Sequence, residues 1–318
     1  MNQRYLSGLP YGLLLIVFAV LLAISFLRGF HLSKIGRIAY SSHVENAHAD
    51  IFLTNTAGNW QKHLTKNSFF SHFTRNLKSD FQPTWSPDDS HIAFVSRRGR
   101  SQEIFVMKAD GTDEQQLTDN RCENLQPAWS PDGKQIAFIH SSIFVKELYP
   151  GKNEEISVLN IYLMNSDGSG QVRITNGLFD HTCPKWLPDG KHIIYTDWHD
   201  IWIMNADGAE PTELTNTSNA SWPSVSQDGK HIAFVSYKDG NGELFTMNVD
   251  GSGVRQLTDH LKKIICEPTW SPDGIQIAFK YGDGLSIVNV ESGKIESVKN
   301  KDFLNNVVYN DPAWSHRN

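Results

Sequence analysis

Two short segments hold side-chain types able to do chemistry. Phe179-Asp180-His181-Thr182-Cys183 carries an acid, an imidazole and a thiol, and Asp197-Trp198-His199-Asp200 carries two acids and a second imidazole. Imidazole, thiolate and carboxylate are zinc-ligand types, and a thiol beside an imidazole is the pairing that generates a nucleophilic thiolate. Neither chemistry has its spacing signature. The chain has no C-x-x-C and no H-E-x-x-H, and no third residue is marked to orient a histidine. The expectation is no catalytic set, no metal and no cofactor, with these side chains solvated at a binding rim.

A further six positions take their meaning from a repeat. The string Pro-x-Trp-Ser-Pro-Asp-Gly-x-x-Ile-Ala-Phe recurs with variation from Pro83, Pro127, Pro184, Pro223 and Pro268, at spacings of 44, 57, 39 and 45 residues. A second motif follows each copy: EIFVMKADGTDEQQLT from Glu103, NIYLMNSDGSGQVRIT from Asn160, DIWIMNADGAEPTELT from Asp200 and ELFTMNVDGSGVRQLT from Glu243. A degenerate version, LSIVNVESGKIESV, starts at Leu285. Four short runs rich in Ile, Val, Phe, Tyr and Trp, separated by Asp-Gly turns, predict a four-stranded antiparallel meander per unit. One such sheet cannot bury both faces alone, whereas a ring of them can.

The two ends of the chain complement each other. Residues 35–65 supply three strands with no Pro-x-Trp strand before them, and Pro312-Ala313-Trp314 supplies the missing piece, 44 residues after Pro268. The C-terminal strand is therefore expected to complete blade 1 and close a six-bladed β-propeller over residues 35–318, which removes two open sheet edges. These repeats resemble the WD40-like propeller repeat of the TolB family across that whole range. The resemblance implies an all-β propeller in the cell envelope. It does not reach the α/β domain that stands ahead of the propeller in TolB. Similar repeats also precede serine peptidase domains, but this chain has no G-x-S-x-G, so no such activity is expected.

Residues 1–34 read differently. Leu9 to Leu27 is an uncharged run of 19 residues, about 28 Å as a helix and long enough to span a bilayer. An N-terminal transmembrane helix with a short linker is expected here, retained rather than cleaved. Arg28, Lys34 and Arg37 follow the run and only Arg4 precedes it. That small excess would keep the propeller in the cytoplasm, whereas the family resemblance puts it outside. Beyond residue 37 there are 25 basic against 35 acidic side chains, and no basic stripe. Nucleic acid is not an expected partner. Three cysteines, Cys122, Cys183 and Cys266, make no disulfide framework.

With the elements in place, the chemistry can be located. Asp-Gly turns repeat in every blade and are expected on one face of the ring, so Asp88, Asp132, Asp189, Asp228 and Asp273 are turn residues. The variable loops lie on the other face, the expected working surface. Gln82, Gln126, Cys183, Trp222, Glu267 and Asp311, each directly before a repeat proline, should start the inner strands at the channel mouth. The 57-residue spacing marks an insertion, roughly Ser141 to Ser157, read as a loop that offers Phe144 and Tyr149 to a partner. The expected function is a membrane-anchored module that binds a protein or peptide through Phe144, Tyr149, His181, Cys183, Trp198, His199, Trp222, Glu267 and Asp311. The alternative is a small-ligand receptor or enzyme with its site at the channel mouth.

Overall fold

The computed structural model describes residues 36–44, 48–65, 78–99, 101–149, 152–177, 179–197, 199–216, 219–237, 242–259, 261, 263–298 and 309–316. The expected anchor at Leu9–Leu27 and the loop residue Trp198 lie outside them. No helix among the described residues is long and apolar enough to cross a membrane.

Among the described residues, twenty-four strands form six four-stranded antiparallel sheets. Blade 1 holds β1 (Arg37–Val44), β2 (His48–Asn55) and β3 (Gln61–His63). Blade 2 is β4 (Lys78–Trp85), β5 (His91–Arg98), β6 (Gln102–Lys108) and β7 (Gln115–Gln116). Blade 3 is β8 (Asn124–Trp129), β9 (Gln135–Tyr149), β10 (Lys152–Asn165) and β11 (Val172–Arg173). Blade 4 is β12 (Thr182–Trp186), β13 (His192–Thr196), β14 (Ile201–Asn205) and β15 (Thr212–Glu213). Blade 5 is β16 (Ala220–Val225), β17 (His231–Ser236), β18 (Glu243–Asn248) and β19 (Arg255–Gln256). Blade 6 is β20 (Ile265–Trp270), β21 (Gln276–Tyr281), β22 (Gly284–Asn289) and β23 (Ile295–Ser297). The last strand, β24 (Tyr309–Trp314), pairs with β1 and completes blade 1. The six-bladed ring closed by the C-terminal strand is thus present.

The second strand of each blade explains why a ring forms. It carries an apolar triplet, such as Ile92-Ala93-Phe94 or Ile277-Ala278-Phe279, with every member fully buried. Side chains alternate across a strand, so a run buried on both faces needs a neighbour on each side. Ile92 and Phe94 meet Ile51 and Leu53 of blade 1, while Ala93 meets Ile136 and Phe138 of blade 3. The alanine leaves room for the larger pair of the next blade. In blade 4 that position is Ile194, which faces Ile232 and Phe234 of blade 5. Each such Ile or Phe contributes about 1.5–3 kcal/mol on burial.

Turns hold one face in register. Asp88 Oδ1 accepts from Ser86 Oγ and the Ser90 N–H, and Asp132 Oδ1 accepts in the same way from Ser130 Oγ and the Lys134 N–H. In the outer turns the glycines must be glycine twice over. Gly168 and Gly251 have φ of 86° and 84°, and a Cβ there would lie 2.6 and 2.7 Å from the Leu117 and Leu214 carbonyl oxygens of the preceding blade.

Closure adds its own bonds. Trp85 Nε1 of blade 2 donates to the Ala313 carbonyl at 3.1 Å, and the His316 N–H donates to Asp89 Oδ1 at 2.8 Å. Arg37 and Ser315 join backbone to backbone at 2.8 Å.

Two expectations need correction. The insertion is no irregular loop: β9 and β10 run 15 and 14 residues and stay paired from Gln135↔Asn165 to Lys152↔Tyr149. The strand-forming run Ile143-Phe144-Val145 extends the blade ladder, and Pro150-Gly151 stands between the strands as a turn signal. The side chains of Phe144 and Tyr149 lie outside the described set. The residues before the repeat prolines also do not start the inner strands. In blade 2, for instance, β4 begins at Lys78, four residues before Gln82.

Two outcomes follow. Deleting Asp311 to Asn318 removes the inner strand of blade 1 and bares the edge of β1. Insolubility or a large fall in melting temperature is expected, and a cooperative melt at the parent temperature would contradict the shared blade. Ile194→Ala opens a cavity between blades 4 and 5 and should lower the unfolding free energy by about 2–4 kcal/mol in denaturant titrations.

Candidate functional site

The inner strands carry an unusual feature in six-fold repetition. Gln82, Gln126, Cys183, Trp222, Glu267 and Asp311 all have positive φ, between 50° and 57°. At each, two residues of the inner strand stand opposite one of the next: pairing runs Phe81↔Val95 and then Thr84↔Ala93, with the same step in blades 3 to 6 and in blade 1. These are β-bulges, and the second bulged residue is always proline, which has no N–H to leave unpaired. A left-handed conformation costs a residue with a Cβ about 1–2 kcal/mol. Glycine would relieve that strain, yet none of the six is glycine.

For four of them the reason is a chain of hydrogen bonds around the channel. Glu267 Oε2 accepts the Asp311 N–H at 2.5 Å, and Asp311 Oδ2 accepts the Gln82 N–H at 3.1 Å. Gln82 Oε1 accepts the Gln126 N–H at 2.9 Å, and Gln126 Oε1 accepts the Cys183 N–H at 2.6 Å. Four of the six bulge N–H groups are thus taken by a side-chain oxygen of the preceding blade. The chain stops at Cys183 and Trp222, whose side chains carry no oxygen. The bulge N–H groups of Trp222 and Glu267 therefore have no such acceptor.

All six residues line one cavity of about 220 Å³ on the propeller axis. Lys185 lines it too, from the middle position of the blade 4 Pro-x-Trp. The other blades hold Thr84, Ala128, Ser224, Thr269 and Ala313 there. The lysine escaped the sequence reading, although this column of small residues broken by one long cation was visible in it. Burial pushes the Lys185 amine below its ordinary range, partly opposed by Cys183, Glu267 and Asp311. Burial and then the Asp311 carboxylate push Glu267 up to about 8. The Cys183 thiol is pushed up by burial, and Cys266 reaches about 12 for the same reason with Glu267 adding to it. These cysteines are thiols at neutral pH, free of any disulfide and poor nucleophiles. The channel thus presents N–H, amine and carboxyl groups able to hold a polar group.

The remaining expected residues lie elsewhere. His181 sits between blades 3 and 4 beside Tyr195, at 5.5 Å between ring centres, in a separate hollow of about 340 Å³. Burial pushes its imidazole down, with Asp197 opposing. His199 is exposed in the loop of blade 4, and its N–H caps Asp197 Oδ1 at 3.0 Å. Asp180 accepts the Leu159 N–H at 2.7 Å. So His181, Cys183 and His199 are not brought together, and no group of three His, Cys, Asp or Glu is set to hold a metal among the described residues.

Buried acids near the loop face are structural. Glu103 and Glu243 each accept the hydroxyl of Thr118 or Thr258, whose oxygens take the Ile104 and Leu244 N–H groups. Glu103 and Glu243 also take the N–H of Arg121 and Leu261 in the following loops. They pin each loop to its blade.

The Glu267 shift has a consequence for stability. Its folded-state carboxyl holds a proton more tightly than the unfolded one, so its contribution is fully present below about pH 4.5 and lost as pH rises toward 8. Between pH 5 and 8 the parent should lose stability relative to Glu267→Gln, with a slope difference of at most about 1.4 kcal/mol per pH unit. Parallel stability profiles from chemical denaturation of the two proteins would refute the shift.

Comparison with known proteins gives the same architecture. Over 137 residues the chain is 30% identical to an uncharacterised protein of Agrobacterium fabrum, covering 38% of this chain and 47% of that one. It is 28% identical over 178 residues to the Tol-Pal system protein TolB of Anaeromyxobacter dehalogenans, covering 55% of this chain and 39% of TolB. The chain thus spans less than half the length of either relative. The crystal structure of TolB from Acinetobacter baumannii superposes with a TM-score of 0.69 at 23% identity, over 88% of this chain and 66% of that one, a likeness of fold. The TolB beta propeller domain model matches residues 33–149 and 152–318, and the chain belongs to that family.

Proposed function

We propose that this chain is a binding module that engages a protein or peptide partner on the loop face of its propeller. One observation carries the reading. The three most exposed large apolar side chains among the described residues are Ile143, Phe179 and Ile264, at 70, 71 and 71%. All three belong to the loop side: Ile143 on the projecting hairpin, Phe179 before β12 and Ile264 before β20. Exposed apolar residues around a polar mouth fit a partner contact, with the apolar rim supplying desolvation and the channel groups supplying direction. Phe144, Tyr149, Trp198 and His199 complete the proposed rim, with Cys183, Trp222, Glu267 and Asp311 as its floor and His181 at its side. The opposite face repeats the same capped turns, and its exposed apolar side chains, Val172, Val254 and Ile275, are less exposed at 53 to 54%.

The proposal includes a place. The uncharged run Leu9–Leu27 supports a membrane anchor, and the likeness to proteins of the Tol-Pal system supports a propeller outside the cytoplasm. The full chain should then fractionate with membranes and resist alkaline carbonate, and added protease should reach the propeller from outside. Shielding of the propeller in the cytosol reverses the location.

For the contact itself, Phe179→Ala and Ile264→Ala should each weaken capture of the partner from the cell's own envelope. A true anchor loses about 2 kcal/mol or more of binding energy, while stability should change by no more than about 0.5 kcal/mol. Lys134→Ala and Lys230→Ala, beside the capped turns, should leave capture intact. Capture lost from the turn face and retained in the rim variants sinks the reading.

A further inference from the structure

The broken chain of bulge hydrogen bonds has a definite chemistry. In four blades the left-handed residue's N–H is taken by an oxygen, twice an amide oxygen and twice a carboxylate oxygen. By the same φ and the same register step, the Trp222 and Glu267 N–H groups hold the equivalent positions, and both residues line the channel. The side chains that should supply their acceptors belong to Cys183 and Trp222, which have none to give. A backbone donor left without an acceptor in a narrow channel is expensive, so something polar must meet it.

A second observation specifies what. Lys185 lies two residues after Cys183, in the blade whose acceptor is missing, and it lines the same cavity. It is the one long side chain in a column otherwise filled by Thr, Ala and Ser. Among the described residues no carboxylate stands within ion-pair distance of it: Glu267 and Asp311 act on it through space and direct their own oxygens to bulge N–H groups. A lysine with no bound anion among the described residues, lining the same channel as a donor without a side-chain acceptor, suits a carboxylate, since charge-assisted bonds to carboxylate are the stronger kind. The Glu267 N–H is the poorer place for an anion, because the acids Glu267 and Asp311 flank it.

We propose that the channel mouth takes the side-chain carboxylate of an acidic residue in the bound peptide. One carboxylate oxygen sits on the Trp222 N–H where blade 4 supplies none, and Lys185 Nζ is its counter-ion. The Glu267 N–H then donates to a neutral oxygen of the same peptide, such as a main-chain carbonyl. This deepens the loop-face reading and rests on it: the apolar rim holds the partner and the mouth reads one acid.

The test uses the full chain in detergent with ¹⁵N-labelled tryptophan, so that the Trp222 amide is observed directly. The probes are an acetylated Gly-Asp-Gly-Gly amide and its Gly-Asn-Gly-Gly counterpart. The aspartyl peptide should move the Trp222 amide in a saturable way, with at least about tenfold lower affinity for the asparaginyl peptide, as expected for loss of one charge-assisted contact. Lys185→Met should remove that preference for aspartate. Cys183→Gln places an acceptor where the ring lacks one; it should abolish the shift and raise the melting temperature. Equal response to the two peptides, an undiminished shift in Cys183→Gln, or no shift at all overturns the carboxylate site. In each of those cases the Phe179 and Ile264 capture experiment still decides the loop-face reading by itself.

Discussion

Everything in this molecule depends on a strand that is apolar on both sides. A sheet built on Ile-Ala-Phe cannot face water on either surface, so each blade is stable only between two others, and the array must close. Closure in turn fixes the axis, and the axis gathers six equivalent backbone positions at one mouth. The site is thus a consequence of burial before it is a matter of polar chemistry. The small middle residue, alanine in five blades and Ile194 in the fourth, sets how closely neighbours approach and so how narrow the channel is.

The bulged ring shows strain used for positioning. Six non-glycine residues sit at positive φ, and in four of them, Gln82, Gln126, Glu267 and Asp311, the side chain caps the next blade. Where the cap is present, backbone and side chains satisfy one another and the wall is closed. Where Cys183 and Trp222 interrupt it, the same geometry leaves donors directed at solvent or ligand. An otherwise symmetric scaffold thereby acquires a polar side, made of blades 4 to 6 together with Lys185, Glu267 and Asp311.

The fold was legible because it is written five times over: turn residues at fixed offsets and one spare strand at the end leave little choice of topology. The site was legible only in part. Comparing the residues before the six prolines located the channel lining, since these positions vary while the repeat around them does not. Their left-handed backbone was not readable, because a residue before proline is ordinarily extended. Lys185 could have been found by the same column comparison one step further along. The hairpin of β9 and β10 was hidden behind its length, although Pro150-Gly151 marked its turn. His181 and His199, close in sequence terms, are separated because one ends on a blade interface and the other on a loop tip.

The break in blade 1 also sets a direction. Each blade's first and second strands are joined by a capped turn, except in blade 1, where that turn is replaced by the pairing of Ser315 with Arg37. The chain therefore enters the propeller at Arg37 on the turn side, opposite the β9–β10 hairpin and the variable loops. A tether leading into this point works like the stem of a dish antenna. An attachment at this point would hold the repetitive back of the disc and leave the face with the variable loops turned away from it.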